Sequence, residues 1–216
     1  MTTCVVFDFD GVLVDSNAVK RRAYRDIFAS VAGSEAVVES VLESNTEDDR
    51  FGVIRSILER MGGNGSVTPG RLDALVAEYS ERYNAICEEH AATCAEIPGA
   101  SAALARLAQG HPLYVISATP EDPLRRIVKR RGWKGYFRDV LGRPRTKGEN
   151  LRRVMQREGI PGGAIIFVGD GRRDLDAARQ AGCRFVGVRN AFNDFDPSGL
   201  TMVSDLTRLP ELVEAG

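Results

Sequence analysis

The sequence predicts an α/β fold in which a doubly wound parallel sheet carries an inserted block of α-helices. Three observations support this prediction. Short apolar runs recur along the chain, helical patterns lie between them, and residues 16–95 interrupt the alternation with helical patterns alone. Alternation of strands and helices is typical of doubly wound α/β layers. We therefore expect a core of residues 1–15 and 96–216 and a helical domain of residues 16–95.

Four strands are predicted at residues 5–9, 113–116, 164–168 and 185–188. Each run is short and almost wholly apolar, without the alternation of polar and apolar residues that marks a sheet exposed on one face. Continuous apolar runs are typical of parallel strands that helices cover on both faces. The sequence therefore predicts a buried parallel sheet.

Helices are predicted over residues 99–109, 124–131, 151–158 and 174–181. Apolar residues recur at helical spacing, as at Leu124, Ile127 and Val128, and each pattern stops at a glycine, which is a common C-terminal signal. These helices would connect the strands.

The helical insert has its clearest pattern from Leu72 to Cys87, and Thr46 followed by three acidic residues predicts another helix N-terminus. An insertion directly after the first strand is expected above the carboxyl edge of the sheet, where ligands bind in open α/β folds. We therefore predict that the insert acts as a lid.

The net charge of the chain favours neither nucleic acid nor an anionic membrane as a partner. The sequence has 29 basic and 30 acidic residues, so it has no overall field to attract either partner. No apolar stretch is long enough to span a bilayer, the N-terminus has no basic region typical of a secretory signal, and the four cysteines have no metal-binding spacing. These observations favour a cytoplasmic enzyme.

Asp8 and Asp10 flank one aromatic residue at the end of the first predicted strand. Alternate side chains of a strand point the same way, so we expect neighbouring carboxylates that repel each other unless a cation lies between them. Mg²⁺ accepts such oxygen ligands and is the cation that proteins usually share with phosphate. Gly11 lets the backbone approach a ligand closely. The alternative is an Asp-Gly turn without chemistry.

A second acidic pair follows the strand at 164–168. Asp170 could reach the same cation, and Asp174, at the start of the next predicted helix, could act beside it. An acidic residue is favourable in the first turn of any helix, so Asp174 could also serve the helix alone.

Ser117 and Lys147 are suited to a phosphate ligand. Ser117 follows the strand at 113–116, where its hydroxyl and the next backbone N–H, that of Ala118, could hold phosphoryl oxygens. Lys147 lies at the head of a helical pattern, where a cation is unfavourable unless an anion is also present. The alternatives are an ordinary turn at Ser117 and a solvated basic loop that Lys147 forms with Arg143 and Arg145.

The order of these residues resembles the haloacid dehalogenase superfamily, specifically its phosphatase branch with a helical cap, which includes phosphoglycolate phosphatase-like and β-phosphoglucomutase-like proteins. The matching motifs are Asp8 to Ser16, Ser117 after a strand, Lys147 before a helix, and Gly169-Asp170 followed by Asp174. The resemblance implies a Rossmann-like core with an inserted α-helical cap.

The resemblance also implies Mg²⁺-dependent hydrolysis of a small phosphate monoester. Asp8 would be the nucleophile and form an aspartyl-phosphate, while Asp10 would act first as an acid and then as a base. Mg²⁺ would be held by the side chains of Asp8 and Asp170 and by the backbone carbonyl of Asp10, with Asp174 in support. The residues that would bind the phosphoryl group are Gly11, Ser117, Ala118 and Lys147.

Three alternatives bear on this function. The superfamily's C–Cl and C–P hydrolases lack an acid at the position of Asp10, which favours phosphate esters. Sugar-phosphate mutases keep both aspartates but usually have a histidine where this chain has Lys20, which argues against a mutase. A non-catalytic binding protein would not need every acid required for turnover, and this chain has them all. Asp15-Ser16-Asn17, Lys20 and the loop at residues 117–120 together resemble the corresponding residues of hydrolases in carbohydrate or polysaccharide pathways, which suggests a sugar phosphate or a similar small polar monoester.

Substrate choice is expected to depend on the helical cap. Arg50 and Arg55 could bind a carboxylate or a second phosphate through bidentate pairs, and Lys20 could lie near the substrate, although all three also suit an exposed helix surface. The predicted partner is a small phosphorylated metabolite, and the oligomeric state stays open between a monomer and a dimer.

Overall fold

The structure is a computed structural model that describes residues 3–44, 50–62, 68–191 and 193–215. The chain divides into two compact units. The core comprises Met1–Asn17 and Ala91–Gly216, and the helical unit comprises Ala18–His90.

The core contains a six-stranded parallel sheet in the order β3-β2-β1-β4-β5-β6. The strands are β1 (Cys4–Phe7), β2 (Leu113–Pro120), β3 (Asp139–Arg143), β4 (Ile165–Gly169), β5 (Arg184–Val188) and β6 (Thr201–Val203). The chain builds outward from β1 to β3 and then returns to place β4 on the other side of β1. Ligands bind in open α/β folds where the strand order reverses in this way. The predicted doubly wound α/β class is confirmed.

Helices cover the sheet and make up the helical unit. The described helices are α1 (Asn17–Phe28), α2 (Ser34–Ser44), α3 (Arg50–Gly62), α4 (Pro69–Thr93), α5 (Ala100–Leu107), α6 (Glu121–Arg130), α7 (Lys147–Glu158), α8 (Arg172–Ala181) and α9 (Leu209–Glu214). The sequence patterns predicted α4 to α8. The helix start predicted at Thr46 lies outside the described residues.

The sequence analysis missed the strands β3 and β6. β3 begins and ends with a charged residue and β6 has three residues, so neither contains a distinct apolar run. Each is defined by pairing with a neighbour, β3 with β2 and β6 with β5. Strand formation here depends on the adjacent strand more than on local sequence.

β2 continues beyond its predicted end at residue 116. Its pairing with β3 passes from Ile116–Leu141 to Pro120–Arg143, so four residues along β2 match two along β3. Such a bulge leaves residues 117–119 outside the regular ladder and redirects their side chains. Gly142 makes room for it, because a Cβ there would lie 2.4 Å from the carbonyl oxygen of Thr119.

Both faces of the sheet are buried. Val5 and Phe7 belong to one apolar cluster, and Cys4 and Val6 belong to another, because successive side chains of a strand point to opposite faces. Helices α5, α6 and α9 contribute to the first cluster, and α7 and α8 contribute to the second. The helical unit has an apolar cluster of its own. Within the described residues, no helix has the length and apolar character needed to cross a membrane.

Candidate active site

The carboxyl ends of β1 and β4 bring Asp8 and Asp170 to the point where the strand order reverses. Asp8 is the first residue after β1, and its N–H donates to the carbonyl of Val168 in β4 at 2.8 Å. Asp170 follows β4 directly. Two of the predicted acids therefore lie at one edge of the sheet, as expected for adjacent parallel strands.

Asp174 completes a carboxylate triad with these two residues. One carboxylate oxygen from each of Asp8, Asp170 and Asp174 lies within 4.8 Å of the others, and all three residues are buried. Asp174 lies in the first turn of α8 and accepts the N–H of Gly171 at 3.1 Å. Gly169 permits this close approach, because a Cβ there would lie 2.4 Å from the Cβ of Asp174.

Lys147 supplies positive charge to the triad. Its Nζ lies 3.0 Å from Asp8 Oδ2 and 2.6 Å from Asp174 Oδ1. It is the first residue of α7, so the helix start delivers the ammonium to these two acids. Arg143 ends β3 and Arg145 is exposed. Lys147 is thus the predicted phosphate ligand that the structure places against the carboxylates.

The electrostatics of the triad follow from burial and close charges. Burial raises the pKa of Asp8 to about 7, with Lys147 acting in the opposite direction and Asp174 and Asp10 adding repulsion. Burial and the charge of Asp8 also raise the pKa of Asp170 to about 6. Burial alone would lower the pKa of Lys147, but the two carboxylates more than reverse this, so the ammonium stays protonated.

The triad fits a divalent cation. Three buried carboxylates lie together, two of them contact the one ammonium, and among the described residues Asp8 Oδ1 is buried without a hydrogen-bond partner. An uncompensated buried charge is costly, whereas carboxylate oxygens are the ligands that Mg²⁺ and Ca²⁺ prefer. A cation at this place would satisfy the free oxygen and offset the remaining negative charge.

Asp10 lies in different surroundings from Asp8. The hydroxyl of Ser16 donates to Asp10 Oδ1 at 2.5 Å, and those of Ser117 and Thr119 lie 3.4 Å from Oδ2. Because β1 ends before Asp8, the alternation of side chains within a strand no longer applies at Asp10. The carboxylate cluster around Asp8 does not include Asp10 among the described residues, and contact of Asp10 with a cation, through its backbone carbonyl, stays a prediction.

Two of the other predicted phosphate ligands, Ser117 and Gly11, lie beside these acids. Ser117 is buried in the bulged part of β2, whereas Ala118 is exposed. Gly11 has a φ of 73°, and a Cβ there would lie 2.0 Å from Asp170 Oδ2. Its N–H donates to the carbonyl of Val14 at 2.8 Å. The structure thus gives Gly11 a clear steric role in the turn that follows Asp10.

The sequence analysis missed three asparagines that contact Asp170. The side-chain amides of Asn17 and Asn190 donate to Asp170 Oδ2 at 2.8 Å and 2.7 Å. The amide of Asn193 donates to the backbone carbonyl of Asp170 at 2.7 Å. Asn17 begins α1, and the other two follow β5. Asn17 ends the run Asp15-Ser16-Asn17 that bears on the substrate, but local spacing does not connect the three asparagines with Asp170, because these contacts form only when the strands assemble.

The predicted specificity residues of the helical unit have contacts within that unit. Arg55 forms an exposed ion pair with Asp73 at 2.5 Å, and Arg50 Nη1 donates to Asn84 Oδ1 at 2.8 Å. Lys20 lies on α1. Their role in substrate choice stays a prediction.

Known proteins resemble the chain over most of its length. A family model described as haloacid dehalogenase-like hydrolase matches residues 2–182. A phosphoglycolate phosphatase of Pseudomonas fluorescens (strain Pf0-1) is 30% identical, over 95% of this chain and 77% of the relative, and one of Synechococcus elongatus is 28% identical, over 88% and 85%. The crystal structure of a predicted phosphoglycolate phosphatase from Haemophilus somnus 129pt has a TM-score of 0.79 at 21% identity, covering 98% of this chain and 97% of that one. The last comparison supports the fold.

Proposed function

The chain belongs to the haloacid dehalogenase-like hydrolase family, as its sequence predicted, and is a phosphatase of small phosphorylated metabolites; from this premise we propose that Asp8 is the nucleophile. The observation that carries the proposal is the contact between Lys147 and Asp8 inside the buried triad. A carboxylate that a fixed ammonium holds in place and neutralises in part is suited to attack phosphorus.

We infer that Mg²⁺ is the cation of this site. The side chains of Asp8, Asp170 and Asp174 and the backbone carbonyl of Asp10 would hold it. When bound, it supplies positive charge to the phosphoryl oxygens. Lys147, which contacts Asp8 directly, would offset negative charge at the reacting end of the site.

The reaction would proceed in two displacements at phosphorus. A carboxylate oxygen of Asp8 forms a bond to phosphorus while the bond to the leaving oxygen breaks, and Asp10 gives that oxygen a proton. Asp10, now a carboxylate, then takes a proton from a water molecule that attacks the phosphorus. The bond to Asp8 breaks and phosphate is released. The hydroxyls around Asp10 would keep its side chain in place for both proton transfers.

The phosphoryl group would be held by residues that surround these acids. We propose the ammonium of Lys147, the hydroxyl of Ser117, the N–H of Ala118 and the turn at Gly11 as its contacts. Positioning and charge compensation are the main contributions that a protein makes to phosphoryl transfer.

Phosphoglycolate is the first substrate to test, because the relatives with the matching sequence are phosphoglycolate phosphatases. It carries a carboxylate beside the phosphate, and this is the kind of group that Arg50 and Arg55 were predicted to bind. A sugar phosphate, suggested by the loop at residues 117–120, is the second candidate. In this proposal the helical unit is the specificity cap of a cytoplasmic enzyme, and Lys20 is a candidate residue for substrate choice.

A phosphate-release screen over phosphorylated metabolites tests the proposal. The wild-type chain should release phosphate from at least one small monoester when Mg²⁺ is present and lose this activity in EDTA. Asp8→Asn should be inactive, whereas Asp122→Asn, which changes an exposed aspartate of α6, should match the wild type. Equal activity of Asp8→Asn and wild type would contradict the assignment of the nucleophile.

Two further measurements refine the substrate assignment. Following glucose 1-phosphate by NMR in the same samples separates hydrolysis, which gives free phosphate, from isomerisation by a mutase. With the best substrate, Arg50→Ala and Arg55→Ala should raise KM if these residues bind it. An unchanged KM in both variants would remove them from the proposed specificity residues.

A further inference from the structure

Asp170 receives two amide donors on the same carboxylate oxygen. Asn17 Nδ2 lies 2.8 Å and Asn190 Nδ2 lies 2.7 Å from Asp170 Oδ2. A carboxylate has roughly four lone-pair sites, about two on each oxygen. These two donors therefore occupy Oδ2, and a cation bound by Asp170 would use Oδ1.

The two donors reach Asp170 from distant parts of the chain. Asn17 lies at the end of the first core segment, and Asn190 lies in the segment that follows β5. Gly11 leaves room for this contact, because a Cβ there would lie 2.0 Å from Asp170 Oδ2 and 2.3 Å from Asn17 Nδ2. The terminal torsion of an aspartate is otherwise broad. Turning the Asp170 carboxylate would break both amide hydrogen bonds.

Asn193 holds Asn190 in its place. Its Oδ1 accepts the backbone N–H of Asn190 at 3.0 Å, while its Nδ2 donates to the carbonyls of Asp170 at 2.7 Å and Val188 at 3.0 Å. Asp194 adds another hydrogen bond, because its Oδ1 accepts the backbone N–H of Arg172, the first residue of α8, at 2.6 Å. The segment that carries Asn190 is thus attached to β5, to the end of β4 and to α8.

We propose that Asn17 and Asn190 are positioning residues that fix the Asp170 carboxylate for metal binding by occupying Oδ2, and that Asn193 supports Asn190. This inference rests on the proposed Mg²⁺-dependent function. Partners that orient a metal-binding carboxylate typically change metal affinity about 10- to 100-fold when they are removed. The effect should therefore appear in Mg²⁺ binding itself, before any substrate is added.

The test measures Mg²⁺ binding to the intact chain by isothermal titration calorimetry without substrate. Asn190→Leu keeps the approximate size of the side chain but removes the donor, and Asn17→Ala removes the other donor independently. Each variant should raise the dissociation constant for Mg²⁺ about tenfold or more. Gln109→Ala, which removes an exposed amide elsewhere in the core, should bind Mg²⁺ as tightly as the wild type.

Thermal unfolding of the same variants in EDTA separates positioning from general stability. The proposal expects weaker Mg²⁺ binding and a smaller rise in Tm on adding Mg²⁺. Variants that bind Mg²⁺ as tightly as the wild type, whether or not their Tm in EDTA falls, would overturn it. A wild-type chain that binds no Mg²⁺ would instead overturn the metal site of the proposed function. Because the two asparagines are changed separately, loss of folding in one variant leaves the other to decide.

Discussion

Asp8 and Asp10 are separated by one residue, yet their carboxylates lie in opposite kinds of surroundings. Asp8 faces the ammonium of Lys147 and two other carboxylates. Asp10 faces the hydroxyls of Ser16, Ser117 and Thr119. In the proposed mechanism Lys147 offsets negative charge beside Asp8, and the hydroxyls keep the Asp10 side chain in place for its proton transfers. Two aspartates can therefore have different roles because their neighbouring groups differ.

Removing the ammonium of Lys147 from the surroundings of Asp8 should have the largest effect on kcat. Lys147→Met leaves Asp8 and Asp174 without their shared counter-charge, so we expect kcat to fall about 10²- to 10³-fold, as for the loss of one preorganised electrostatic contact. Steady-state kinetics with saturating Mg²⁺ measures this. Lys134→Met, an exposed lysine of the core, is the matched control. A Lys147→Met enzyme with wild-type kcat would show that the ammonium has no part in the reaction.

The turn that follows Asp10 should be sensitive to a single methyl group. In Gly11→Ala the new Cβ would overlap Asp170 Oδ2, so Mg²⁺ affinity should fall about tenfold and the free energy of unfolding should fall by at least about 1 kcal/mol. Gly132→Ala has the same backbone strain, with a φ of 74°, but nothing lies within 4 Å of its Cβ. The difference between the two variants isolates the overlap. Equal Mg²⁺ affinities would contradict the steric role of Gly11.

Removing single hydroxyls from Asp10 should have the smallest effects. Thr119→Val and Ser16→Ala each delete one donor, and a hydrogen bond of about 1 kcal/mol corresponds to about a fivefold fall in kcat. Ser16→Ala should cost more than Thr119→Val, because its contact is 2.5 Å compared with 3.4 Å. Thr201→Val, which changes an exposed threonine, serves as control. A larger fall in kcat for Thr119→Val than for Ser16→Ala would contradict the role given to the hydroxyls around Asp10.

The sequence predicts the acids of the triad but not the asparagines that contact Asp170, and the reason is physical. Asp8 and Asp170 follow strongly apolar strands, so a local pattern was enough to place both at one sheet edge. Asn17 and Asp170 are 153 residues apart in sequence, and their contact exists only because the strands pair in one order. No local spacing marks such a contact.

The surroundings of Asp10 could be predicted only in part. The predicted first strand runs through Phe9, whereas β1 ends at Phe7, so Asp10 lies beyond the strand and contacts the bulge of β2. Two of the three hydroxyls that meet Asp10 come from that bulge, which depends on the pairing of β2 with the unpredicted strand β3.

The most direct test of the central claim is to identify the residue that becomes phosphorylated. Asp10→Asn keeps Asp8 but cannot activate water, and p-nitrophenyl phosphate has a leaving group that departs without a proton. After acid quench of this variant with Mg²⁺ and p-nitrophenyl phosphate, peptide mass spectrometry should find one phosphoryl group on Asp8, and none in the Asp8→Asn, Asp10→Asn double variant. A phosphoryl group on another residue, or repeated release of nitrophenol with no phosphoryl group on Asp8, would contradict the account.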